Sequence, residues 1–531
     1  MAGPVDKPSR SDRFVAGLSQ LIGGPIGDHA TGRQSAGRFL SPGRVVLALA
    51  CLTLALHWVQ KSPCRESETW IFYRQLSTFC YTDVVALYGA EGGLSVGGVP
   101  YLDYPLEYPV LTGIFMALIG LPVNALGDRV TINEFTWFYD LTALALAGFA
   151  IVTVLLMLRL RTRRPWDVAM FAAAPILLLT ATVNWDLLAV VLAIGGLYAW
   201  ARRQPVLAGV LLGLGATAKL WPAFLFVALL ALGIRTGRLR PVWRAIGAGA
   251  VTAVGLNLLV MAAVQLSNGN LDNWLRFFRL NRDRTIDWGT FWYVGQYLDR
   301  NLMGGDGPFA WLGAHINPHL NWLTYGLFGL ACLGVAALAL LAPRRPRLAA
   351  LAFLLVAAFL LTSKVWSQQF VLWLLPLVVL ARPRWGAFLA WQAAELLYFF
   401  TFYGQLLRAV PSDQLPEGQF VMPEGWFILA ATLRWITVVV LCGYVIRDAL
   451  RPGEDAVRRS YPDDPDGGEF DGAPDPAANL SRLGLRRSEV EDDDAVDHLP
   501  GDPEPVAGGL QRSLPLGADR GREDQHRLDA D

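Results

Sequence analysis

The sequence predicts an all-α, polytopic membrane protein of about twelve transmembrane helices, give or take one. Three observations lead there. Of 531 residues, 53% are hydrophobic and only 17% charged, with a mean hydropathy of +0.36. The apolar residues gather into runs of about 17–28, long enough to cross a hydrocarbon core of roughly 30 Å. Arginine clusters recur between the runs, at 159–164, 202–203, 235–244, 344–347, 382–384 and 447–451.

The elements follow in order. Residues 1–43 form a polar N-terminal arm with Lys7, Arg10, Arg13, Arg33 and Arg38 and no cleavable leader pattern. Apolar runs fall near 44–60, 107–127, 135–160, 166–183, 186–201, 205–218, 220–234, 242–266, 321–342, 347–362, 369–381, 384–402 and 424–446. Basic residues in short loops mark the cytoplasmic side of a plasma membrane. With all the arginine clusters placed there, the runs after residue 160 alternate without conflict, and both termini are cytoplasmic. The segments 184–186, 219–222, 267–320, 363–369 and 403–424 then face outward.

Thirteen runs do not fit two cytoplasmic ends. The run 107–127, preceded by Pro105 and interrupted by Pro109 and Pro122, is the one expected not to cross. The alternative is that the cluster 159–164 breaks the charge rule. The membrane domain is 44–446, and its two long outer loops, 61–106 and 267–320, are where a site is expected. Residues 447–531 form a cytoplasmic tail. From 452 onward it holds 21 acids against nine arginines, a composition that predicts disorder. It is a candidate docking arm for protein partners. Cys64 and Cys80 lie in the first loop and can pair if that loop faces an oxidising compartment.

Charged side chains at a membrane rim are costly and point to function. In the first loop Asp83 sits inside an apolar stretch, followed by Tyr88, Tyr101, Asp103, Glu107 and Tyr108. An outward carboxylate there can serve as general base to a hydroxyl. Asp83 is the first candidate and Asp103 and Glu107 the runners-up; a solvated loop with a helix cap is the plainer reading. Asn184-Trp185-Asp186 is wedged between two apolar runs, where Asp186 also suits an N-cap. Only four lysines occur, and two of them, Lys219 and Lys364, end apolar runs on the outward side, against the charge trend. Their ammoniums suit a lipid-linked phosphate, or they simply snorkel to the interface.

Arg282 and Arg284 stand in an aromatic-rich outer segment that includes Trp288 and suits an amphipathic interfacial helix. Trp366, Ser367, Gln368 and Gln369 follow Lys364 as further substrate-contact candidates. The sequence has no P-loop, no dinucleotide fingerprint, no HExxH and no zinc spacing, so no metal site is assigned and no nucleic-acid partner is expected.

The early outer Asp83, the segment through Tyr108-Pro109, Asn184-Trp185-Asp186, Ala218-Lys219-Leu-Trp-Pro222 and Ser367-Gln368-Gln369-Phe370 followed by Trp-Leu-Leu-Pro resemble the polyprenyl-phosphate-dependent glycosyltransferases of the GT-C type. The nearest likeness is to the actinobacterial GT87 α-mannosyltransferases, over about residues 44–446. The resemblance implies an outer-leaflet active site and a polyprenyl-phosphate-mannose donor. It implies inversion at the sugar carbon and a lipid or glycan acceptor from the cell envelope. It places the family's catalytic Asp on Asp83 and implies no cofactor, because the donor carries the energy; a divalent cation is not indicated. This chain reads Tyr108-Pro109-Val110 where the family often has Tyr-Pro-Pro. Two other classes stay open on the sequence. One is a transporter or flippase of a lipid-linked sugar, the other a non-catalytic scaffold for envelope synthesis.

Overall fold

The computed structural model describes residues 5–23, 40–65, 72–90 and 93–475. Among them there are helices and turns and no strand, beyond one isolated bridge between Pro100 and Tyr104. The main helices are α1 (Arg13–Gly23), α2 (Pro42–Gln60), α3 (Asp83–Tyr88), α4 (Val110–Gly127), α5 (Glu134–Leu160), α6 (Pro175–Thr180), α7 (Asp186–Ala201), α8 (Pro205–Ala218) and α9 (Leu225–Thr236). They continue with α10 (Leu239–Ser267), α11 (Asp272–Asp283), α12 (Phe291–Leu302), α13 (Asn321–Leu341), α14 (Leu348–Thr362), α15 (Val371–Ala381), α16 (Trp385–Arg408) and α17 (Glu424–Leu450). Six helices are long and apolar enough to cross a membrane, and five shorter apolar ones lie among them. The protein is therefore an all-helical, polytopic membrane protein.

Local chemistry explains the boundaries. At the start of α5, Asn133 Oδ1 accepts from Thr136 N at 3.1 Å. Glu134 opens that helix and Arg159 sits in its last turn, matching the macrodipole at both ends. Helices α2, α6 and α8 begin on Pro42, Pro175 and Pro205, where a missing N–H costs nothing.

The bundle has two polar ends. One gathers Lys61, Asp83, Tyr108, Asn184, Lys219, Lys364 and Gln368 and is called here the Asp83 face. The other gathers Arg161, Arg235, Arg347 and Arg382 and is called the Arg161 face. The helices α2 and α5, the broken segment 165–183, the helices α7 to α10 and the helices α13 to α17 each run from one face to the other, which makes twelve crossings among the described residues.

Helix α4 does not cross. Near its start Thr112 Oγ1 donates to Ala218 O at 2.8 Å, and near its end Asn124 Nδ2 donates to Ser95 O at 2.9 Å. Its last glycine, Gly127, lies against Glu134 at the start of α5. Both ends thus stay on the Asp83 face. Pro109 caps α4, and Pro122 is accommodated inside it. Helix α11 is the amphipathic surface helix expected from its arginine–aromatic pattern, tethered by Asn273 Nδ2 to Leu102 O at 3.3 Å.

Helices α8 and α10 approach through glycines. A Cβ on Gly213 would sit 2.5 Å from Gly249 O, and one on Gly209 would strike the Ala245 carbonyl. The Gly209-x-x-x-Gly213 spacing lets the two backbones touch, as membrane helices do when packing rather than apolar exclusion holds them together.

The tail differs from its composition. Residues 452–475 are folded onto the Arg161 face. Arg161 makes two bonds of 2.7 Å to the carboxylate of Asp466, with both side chains 0% exposed. Arg347 pairs with Asp455 at 2.7 Å, Arg345 with Asp463 at 2.9 Å and Arg235 with Asp475 at 2.7 Å. Expected disorder from residue 452 is thus corrected as far as 475, because each of these acids finds an arginine of that face. The remainder, 476–531, lies outside the described residues. Cys64 and Cys80 are joined by a disulfide, with Cα atoms 6.1 Å apart.

Candidate active site

The site is built around the start of α3. Thr82 caps that helix by accepting from Val84 N at 3.2 Å, while its hydroxyl donates to Thr182 O at 2.6 Å. Asp83 N donates to Val183 O at 2.9 Å. The loop 81–83 is thereby laid along 182–184, and Asp83 points at the end of the bundle. Its Oδ1 accepts from the Tyr81 hydroxyl and its Oδ2 from Asn184 Nδ2, each at 2.8 Å. Asn184 Nδ2 also reaches the Tyr108 hydroxyl at 2.5 Å. Burial, and then the Asp83 charge, raise the Tyr81 phenol well above its ordinary range, so it stays a donor.

Below this sits Lys61, fully buried, donating to Tyr81 O at 3.1 Å. Burial drags its ammonium down to about 7, and Asp83 works against that fall.

Lys219 follows α8 and faces the same space. Its Nζ lies 3.7 Å from Asp186 Oδ1 and 4.6 Å from the centre of the Tyr108 ring. Asp186 is fully buried; its Oδ1 accepts from Trp373 Nε1 at 2.6 Å and its Oδ2 has no hydrogen-bond partner. Glu107 completes the group. Burial raises its carboxyl, and Asp83 adds to the rise, while Arg284, Lys219 and Arg276 oppose it. Three carboxylates, Asp83, Glu107 and Asp186, and the cations Lys61, Lys219, Arg276 and Arg284 thus share one electrostatic neighbourhood.

A second cluster adjoins it through Arg284. Asp287 takes Trp366 N at 3.1 Å and the Ser367 hydroxyl at 3.5 Å on Oδ2, and its own N–H donates to Lys364 O at 2.9 Å. Lys364 Nζ donates to Arg282 O at 2.8 Å. Burial lowers the Lys364 ammonium to about 8; Asp283 opposes this and Arg284 contributes to it. From behind, Arg434 donates to Trp366 O at 3.2 Å, stacks on the Trp366 ring at 4.3 Å and pairs with Glu395 at 2.9 Å. Gln368 meets the Tyr403 hydroxyl, which donates in turn to Tyr81 O at 3.3 Å.

The candidates of the sequence therefore divide. Asp83, Glu107, Tyr108, Asn184, Asp186, Lys219, Gln368 and Arg284 converge. Lys364, Ser367 and Trp366 form the adjoining cluster, with Trp366 fully buried and Gln369 buried beside it. Trp288 packs at a tilt against Phe402, with ring centres 6.1 Å apart. The Arg282 guanidinium is turned to its neighbour Asp283 at 2.8 Å, so only its carbonyl enters the cluster. Asp103 Oδ2 holds a turn by accepting from Val99 N at 2.8 Å. The Tyr101 hydroxyl supports the backbone at Tyr108 O and Pro109 O, and the Tyr88 hydroxyl bonds Glu134, each at 2.9 Å. Sequence reasoning left Lys61, Tyr81, Asp287 and Arg434 out of the site. For Arg434 there was a usable signal: Glu395 and Arg434 are opposite charges in consecutive apolar runs.

An all-helical membrane bundle thus gathers Asp83, Glu107, Asp186, Lys61, Lys219 and Lys364 at one of its ends. The sequence model of glycosyltransferase family 87 matches residues 108–367, so that segment of the chain is similar to the family. Fold and match together describe a membrane glycosyltransferase. The match takes in Tyr108, Asn184, Asp186, Lys219, Arg284, Lys364 and Ser367, and begins downstream of Asp83. A search of the curated proteins gave no match.

Proposed function

We propose that the protein transfers a mannosyl group from a polyprenyl-phosphate donor to a hydroxyl of an envelope glycolipid or glycan, with inversion, on the Asp83 face. The observation that carries this reading is the Asp83 carboxylate, held on both oxygens by Tyr81 and Asn184 beside the Lys219–Asp186 pair. Asp83 takes the proton of the acceptor hydroxyl as that oxygen attacks the anomeric carbon. The bond to the phosphate oxygen breaks, and polyprenyl phosphate leaves as an anion. Lys219 and Arg284 are the cations set to hold it, with Lys364 next to them. Fixed charges aimed at the developing anion supply most of such a rate enhancement. Asp83 needs only to be ionised and in reach, because positioning rather than an unusual acidity makes a base.

The face is read as outward. The arginines concentrate on the opposite end, as they do on cytoplasmic sides, and the Cys64–Cys80 disulfide lies on this one. The test is turnover of labelled polyprenyl-phosphate-mannose by purified protein with mixed envelope lipids, wild type beside Asp83→Asn. The expected result is donor binding by both and transfer by wild type alone, the variant falling about 10²–10⁴-fold. Equal transfer by both removes Asp83 from the chemistry and brings Glu107 forward.

A further inference from the structure

We propose that a cavity on the Arg161 face, between α1, α16 and α17, binds the phosphate headgroup of an anionic membrane lipid. It is separate from the Asp83 site and its argument does not depend on the reading above. The cavity measures about 830 Å3. Its polar side carries Arg13, Arg382, Arg384, Arg447 and Arg459 against two acids, Asp12 and Glu454.

Both acids are already engaged. Asp12 accepts from Phe14 N at 3.0 Å and Val15 N at 3.2 Å on one oxygen and from Trp385 N at 3.0 Å on the other. Glu454 pairs with Arg447 at 3.0 Å and Arg451 at 3.4 Å. A third acid, Asp448, stands behind the wall and pairs with Arg382 at 3.1 Å and Arg447 at 3.4 Å. Cationic capacity is left over.

Arg382 shows where that capacity points. It is only 9% exposed, its Nε is bonded to Asp448, and its guanidinium lies 4.4 Å from the centre of the Tyr444 ring. Its Nη1 is buried and has no acceptor. A buried donor is seldom left unmade, and a planar guanidinium fork matches phosphate oxygens. Beside it Arg384 commits one N–H to Ser11 O at 2.8 Å.

The remaining wall names a lipid rather than a free anion. It consists of Ala387 and Ala390 from α16 and Val440 and Leu441 from α17, two spanning helices along which an acyl chain can run. Helix α1 closes the rim and leaves Phe14, Leu18, Leu21 and Ile22 exposed. An exposed apolar stripe on a short helix at a membrane protein's rim belongs in the headgroup boundary. The arginine clusters that the sequence presents as topology markers thus also furnish a ligand site.

The test uses the full-length protein, delipidated in neutral detergent and followed by native mass spectrometry. It is titrated separately with dioleoyl phosphatidic acid, dioleoyl phosphatidylcholine and inorganic phosphate. Wild type is expected to take up one phosphatidic acid saturably and neither of the other two. Arg382→Gln is expected to weaken that uptake about tenfold, the loss of one charge-assisted bond. Because Arg382 also holds Asp448, the double variant Arg13→Gln/Arg384→Gln, at the rim, is measured in parallel with its melting temperature. It too is expected to bind about tenfold more weakly while melting as wild type does. Unchanged phosphatidic acid uptake in the rim variant overturns the proposal, because the lipid is then a belt lipid. Phosphatidylcholine or inorganic phosphate binding as tightly as phosphatidic acid also overturns it.

Discussion

Lys364 is a lysine whose charge is already weakened by its surroundings. Burial takes it to about 8, so its ammonium is present below that pH and lost above it. If it helps hold the donor phosphate, the transfer rate is expected to fall as pH rises through about 8. Lys364→Arg, which cannot be deprotonated, is expected to abolish that alkaline limb in a pH profile of kcat/KM. A limb that survives in the arginine variant assigns it to another group. Lys219→Ala is expected to lower kcat about a hundredfold, about 3 kcal/mol, with Lys219→Arg recovering part of the loss in the same assay. At this scale the sequence was readable where a residue broke a trend. Lys219 and Lys364 stood out because they lie on the side where basic residues are scarce. Lys61 and Asp287 did not, since their roles are to hold the backbones of Tyr81 and of residues 364–367, and no pattern of side chains announces a backbone contact.

The elements were legible to the extent that they are apolar. Thirteen runs became thirteen structured segments; parity asked that one run before residue 160 not cross, or that the cluster 159–164 break the charge rule, and the prolines pointed to 107–127. Helix α4 reads as a span by length and composition, yet Ala218 and Ser95 hold its two ends at the same level. That information lies in the parity of the whole chain together with Pro105, Pro109 and Pro122. The contact between α8 and α10 is a second feature of this scale. Gly213→Val would drive a side chain into the Gly249 carbonyl and is expected to cost about 1–3 kcal/mol, read as a lower melting temperature in detergent. Gly247→Ala, with open space around its Cβ, is expected to melt as wild type does. Equal melting of the two would mean the helices do not meet through these glycines.

At the scale of the molecule, composition misled. Averaged over residues 452–531 the acids look like a solvating tail, but Asp455, Asp463, Asp466 and Asp475 each have an arginine waiting far upstream. Long-range complementarity of that kind does not show in a window of sequence. Asp466→Ala leaves Arg161 charged and buried without its paired carboxylate, and is expected to destabilise the protein by about 3–5 kcal/mol while sparing catalysis in whatever fraction stays folded. Thermal unfolding beside the transfer assay checks both halves. A variant that melts as wild type does would show that the segment contributes nothing to the bundle.

The same pairing has a consequence in time. Arg161 and Asp466 are 305 residues apart, and a ribosome adding about 5–20 residues each second needs roughly 15–60 s to cover that distance. Throughout that interval the growing chain has a guanidinium at the bundle's end without its carboxylate, and Arg347 waits likewise for Asp455. The last crossing is made before either acid emerges. Completion of this protein is thus decided after its membrane insertion is over, and a message broken or a chain cut just past residue 450 would yield twelve inserted helices with an unsealed end for quality control to find.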